Sequence, residues 1–134
     1  MTTRFYLLIG ALLSCLAVIL GAFGAHALKA IISIEMMAVY KTAVHYQMFH
    51  ALALLVLGVL MHVFVENPLQ FKRFKLAGNF FIIGVTLFCG SLYSLAFTNI
   101  KVLGMITPLG GVCLILGWLF LIAGIWANTP QSPK

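Results

Sequence analysis

"HYQMFHALALLVLGVLM", residues 45–61, sets two histidines, a tyrosine and a glutamine against a run that is apolar on every side. A segment hydrophobic all round belongs in a deep core or in lipid. The rest of the chain decides between them. Of its 134 residues 63% are hydrophobic and only 7% charged, with a mean hydropathy of +1.15. Too few polar residues exist to cover a globule, so lipid is the missing solvent.

Working outward, three more stretches of the same kind appear. A hydrocarbon core of roughly 30 Å calls for about 20 apolar residues per helix, and spans fall at about 5–25, 43–65, 76–98 and 102–127. The expectation is an all-α integral membrane four-helix bundle occupying residues 1–134 as one domain. The opening segment imitates a secretory signal, with Arg4 at its start and Ala25-His26-Ala27 as a mock cleavage site. Its apolar run exceeds the 7–15 residues of a signal core, so an uncleaved first span is expected.

Four spans place both termini on one face. Arg4, Lys72, Arg73, Lys75 and Lys134 share it, against Lys29, Lys41 and Lys101 on the other. The positive-inside rule then predicts an inner (plasma) membrane protein with both termini cytoplasmic. The formal charge of +6 reads as topology and contact with anionic lipid, not nucleic-acid binding. In "ENPLQFKRFK", residues 66–75, Asn67-Pro68 ends a helix and the following loop lies at the headgroups, held by Lys72, Arg73 and Lys75.

Between the first two spans, Ser33 reads as an N-cap with Glu35 in the first turn, so a helix starts near Ile34 and continues to about Val65. At 1.5 Å per residue that is about 48 Å. The excess length predicts an interfacial, amphipathic start to the second helix, with Met36, Met37 and Tyr40 against lipid or protein.

Tyr46 and His50, four residues apart, share a helix face with Gln47, while His45 points elsewhere. Polar groups at this depth are costly in lipid. The face of Tyr46, Gln47 and His50 should therefore turn inward and bond to Ser91, Tyr93 or the backbone near Thr107-Pro108. Small residues recur at helical intervals: Ala17, Gly21 and Ala25, with Gly24 alongside; Thr86, Gly90, Ser94 and Thr98; and Gly110, Gly117 and Gly124. Such stripes predict close helix packing, within one chain or between copies.

The chemistry of sites offers little more. Haem ligation needs histidines on facing helices, and the third and fourth spans contain none. His45 and His50 are about 140° apart around the helix, which excludes adjacent-turn metal ligation. Cys15, Cys89 and Cys113 lie on three spans without paired spacing and read as buried thiols. No phosphate loop or nucleophile motif occurs. No cofactor, metal or catalytic residue is expected.

"GAFGAHALK" (21–29), "YQMFHALALL" (46–55), "GSLY" (90–93) and "ITPLGG" (106–111), in this order, resemble the YgdD-like family of small bacterial inner-membrane proteins. That family is a domain of unknown function with a small eukaryotic transmembrane counterpart. The resemblance implies a four-span membrane protein and carries over no activity, cofactor or catalytic residue. Members often have proline after the serine that precedes the long helix, where this chain has Ile34. The expected function is a structural or accessory bundle whose partners are membrane lipids, with a homo-oligomer allowed. The alternative is a small transporter or channel for protons or solutes, using the polar face around His50. Both acids, Glu35 and Glu66, lie at helix ends, which weighs against a proton-coupled carrier.

Overall fold

The computed structural model describes residues 3–127; Lys134, counted above with the terminal face, lies outside them. Four long helices, α1 (Thr3–His26), α2 (Ile34–Val63), α3 (Pro68–Thr98) and α4 (Thr107–Trp126), alternate in direction. Each is long and apolar enough to cross a membrane. One-turn and two-turn 3-10 helices, Leu28–Ala30 and Lys101–Met105, join α1 to α2 and α3 to α4.

The helix ends follow from local chemistry. Ser33 is extended, and its hydroxyl accepts from the Met36 amide at 3.2 Å, with Glu35 in the first turn where its charge suits the helix dipole. Met37 and Tyr40 then pack with Leu28 and Ala96, so the first turns of α2 rest on protein. The expected basic loop is instead helix. Asn67 accepts from the Gln70 amide at 2.8 Å, Gln70 reaches back to the Glu66 amide at 2.9 Å, and Pro68 occupies the first turn. Asn-Pro here opens α3 rather than ending α2, because proline lacks only an amide that the first turn leaves unbonded. At the other end Asn99, at φ 56°, turns the chain in the left-handed region.

Neighbours in sequence are neighbours in space: α1 packs on α2, α2 on α3 and α3 on α4. Tyr6 extends α1 to α3, its hydroxyl donating to the Lys75 carbonyl at 3.1 Å and lying 3.0 Å from Asn79 Oδ1. Tyr6, Leu54, Leu57, Phe74 and Phe81 are fully buried at the centre. Leu12, Val56, Ile115, Leu119 and Ile122 are exposed, as lipid-facing residues must be.

The tightest seam is α3 against α4. Gly110 lies on the backbone of Phe88, Gly117 on the Phe81 ring and Gly124 on the Phe74 ring. A seven-residue glycine repeat therefore meets a seven-residue phenylalanine repeat running the opposite way. The Phe81 and Phe74 rings, and the backbone of Phe88, fill the space that a Cβ would occupy, which lets the axes approach. Gly24 meets Tyr40 in the same manner, whereas Gly21 has only Val44 Cγ1, 3.5 Å from its notional Cβ. The stripe on α3 does not pack. Gly90 has nothing within 4 Å, and Thr86, Ser94 and Thr98 are exposed, the two threonines bonding to carbonyls four residues back. Helical hydroxyls can satisfy themselves locally, so small polar residues at this interval need no neighbour. Glycines outside the stripes do pack: Gly10 against Ala51 and Leu55, Gly58 against Leu7, Gly78 against Tyr6, and Gly84 against Leu114.

Candidate functional site

Two residues one turn apart on α2 reach the other three helices. Gln47, 2% exposed, donates through Nε2 to the Leu13 carbonyl on α1 at 3.0 Å. Its Oε1 accepts from the Tyr93 hydroxyl on α3 at 2.9 Å. His50, 4% exposed, accepts at Nε2 from the indole N–H of Trp118 on α4, at 3.2 Å. A carbonyl can only accept, so the 2.8 Å contact to Tyr46 O requires the proton on His50 Nδ1. The imidazole is thus a neutral tautomer with both nitrogens engaged. A second proton would set an N–H against the indole N–H and break the link to α4.

Aromatic rings wall this crossing. Phe81 lies beneath it, with its centroid 5.7 Å from that of His50 and 5.1 Å from that of Trp118. Tyr40 caps the next turn, its hydroxyl donating to the Leu20 carbonyl at 2.7 Å and its ring edge-on to Tyr93 at 5.3 Å. Each interhelical bond of this kind contributes about 0.6 kcal/mol, up to about 1.7. The alternative for each group would be solvation by lipid.

The remaining predicted residues separate. Ser91 and Thr107 bond to each other at 2.8 Å, joining α3 to the start of α4 without touching Gln47 or His50. Tyr46 does not turn inward. It is 40% exposed, with its ring against Phe88 at 4.5 Å. Together with His45, Phe49, Leu114, and the rims of His50 and Trp118, it lines a groove of about 430 Å³ between α2 and α4. The hundred-degree step between successive helical residues separates Tyr46 from Gln47, which takes the inward position.

Of the basic residues assigned to headgroups, Lys72 is exposed and Lys75 half-buried. Arg73 is instead drawn onto the protein: its guanidinium donates to the Ala123 carbonyl at 2.7 Å, while Asn67 Nδ2 donates to Ala127 O at 3.3 Å. Arg73 thereby adds a second donor to the Ala123 carbonyl, which already accepts from the Ala127 amide at 3.1 Å, and Asn67 supplies a donor to the Ala127 carbonyl just past the helix end. Trp118 escaped the sequence reading. Its signal was an indole in mid-span, a donor that needs an acceptor once buried. Among the described residues no three metal-ligating side chains gather.

Comparison with known proteins gives one consistent result. Residues 20–111 match the family model described as "Protein of unknown function (DUF423)". The chain is 43% identical over 119 residues to the UPF0382 membrane protein SH2409 of Staphylococcus haemolyticus, covering 89% of this chain and 93% of that one. It is 44% identical, with the same coverage, to the UPF0382 membrane protein SAB0533 of Staphylococcus aureus. With the UPF0382 membrane protein YwdK of Bacillus subtilis the identity is 40%, over 89% of this chain and 94% of that one. No solved structure matches.

Proposed function

The chain belongs to the DUF423 family of proteins of unknown function, and from its site we infer that it is a non-catalytic structural or accessory membrane protein. One observation carries this reading: Gln47 and His50 use their hydrogen-bonding groups to join α2 to α1, α3 and α4. Donors and acceptors satisfied by protein have no call for water, so the crossing is glue in a dry core. The narrower YgdD-like affiliation rests on the four sequence motifs. Placement in the inner membrane with both termini cytoplasmic rests on the basic bias of the terminal face. A reporter cysteine at Ser132 that reacts with an impermeant reagent on intact cells would reverse that orientation.

The groove lined by His45, Tyr46, His50 and Trp118 favours a second reading, a path for protons or small solutes that reaches the crossing from one side. Flux through reconstituted protein distinguishes the two. The structural reading expects no pH-driven flux in wild type or in folded His50→Ala. Wild-type flux that disappears in folded His50→Ala makes the protein a transporter.

A further inference from the structure

A second groove, on the α1 side of α2 and meeting the Tyr46 groove at His45, forms a trough between α1 and α2. Its inner part, about 630 Å³, lies between Ala17 and Gly21 on α1 and Val44 and Met48 on α2. A second part of about 480 Å³ continues toward the α1–α2 connection, where Lys29 and Lys41 stand on its rim. Gly24, Ala25 and Lys41 line both parts, so the two are one channel along the protein surface. Among the described residues no carboxylate pairs with either lysine.

We infer that this trough holds an anionic phospholipid, with its phosphate between Lys29 and Lys41 and an acyl chain along Gly21 and Met48. The two ends of the trough ask for different chemistry in one molecule. Two unpaired cations at the rim call for a negative group, and the apolar lining calls for a hydrocarbon tail. From Lys41 to Met48 the helix rises roughly 10 Å, enough for the first half of a tail. The same face of a second copy would bring lysine against lysine, which disfavours a symmetric dimer here. Nothing in this assignment depends on whether the His50 crossing is dry, because that crossing faces α4.

Native mass spectrometry of the full chain with dioleoyl phosphatidylglycerol or dioleoyl phosphatidylcholine tests the assignment, since the tails are the same. Each lysine near the surface contributes roughly fivefold to binding an anionic lipid, so the pair supplies about 25-fold. Wild type should prefer phosphatidylglycerol. The double variant Lys29→Gln/Lys41→Gln should lose about 25-fold of that preference, while Lys101→Gln, on the same face but outside the trough, keeps it. Gly21→Leu puts a side chain into the trough at a position where a Cβ meets only Val44, in ordinary van der Waals contact at 3.5 Å; it should weaken binding of both lipids. Equal binding of the two lipids by wild type overturns the proposal. So does a preference that the double variant leaves unchanged or that Lys101→Gln lowers as much.

Discussion

Adding a side chain at Gly117 tests the register of α3 against α4. A Cβ there would lie 2.5 Å from Phe81 Cδ1 and 2.7 Å from Cε1, so the ring must retreat by roughly 1 Å to reach van der Waals contact. It has nowhere to go. Phe81 is 0% exposed and lies against His50 and Trp118. Overpacking of this kind costs about 1–3 kcal/mol, against which alanine recovers about 0.5–1 kcal/mol of helix propensity. Gly117→Ala should therefore be less stable than wild type, and Gly117→Leu should cost above about 3 kcal/mol as the helices are forced apart. Gly90→Ala is the matched control, since no atom lies within 4 Å of its Cβ and only the propensity gain remains. Leu116→Ala removes a half-buried side chain and should cost less than Gly117→Leu. Unfolding in mixed detergent micelles, followed by tryptophan fluorescence, measures all four. In a double-mutant cycle, Phe81→Leu should relieve part of the Gly117→Ala penalty. If Gly117→Ala is as stable as Gly90→Ala, the seam is not where the structure puts it.

Two further outcomes follow from the helix ends. Arg73→Gln removes the donor to the Ala123 carbonyl; at about 1 kcal/mol for a partly screened charged bond, amide exchange in the last turn of α4 should accelerate about fivefold. Unchanged exchange there would show that Arg73 is spent on lipid instead. Asn99→Gly should hold or raise stability, whereas Asn99→Val should lose about 1–2 kcal/mol in the left-handed region. Equal stability of the two variants would remove the turn.

Span number and the start of α2 were legible because they depend on local signals: apolar length, and a serine followed by an acid. The start of α3 was misread, because Asn-Pro serves equally well after one helix or before the next. What chose between them was Gln70, three residues after Asn67, completing the reciprocal cap. Among the small-residue stripes, interval alone could not separate packing from exposure. Gly110, Gly117 and Gly124 meet phenylalanines spaced by the same seven residues, and that matching period was the missing evidence; Gly90 has no such partner. The polar crossing was legible for Gln47, His50 and Tyr93. Tyr46 was grouped with them because residues four apart share a face, but a face is wide, and the edge nearest lipid suits a tyrosine. Trp118 was invisible to spacing, since its role depends on which helix comes to stand opposite His50.

The central claim is that the His50 crossing is dry. Hydrogen exchange of the Trp118 indole N–H, read by nitrogen-15 NMR of the protein in lipid nanodiscs transferred to heavy water, tests it directly. Trp126, 77% exposed at the end of α4, supplies the comparison within the same sample. Bonded to His50 and out of contact with water, the Trp118 indole should keep its proton long after that of Trp126 has exchanged. Exchange of both indoles at the same rate would mean that water reaches His50, and the dry-core account would fail.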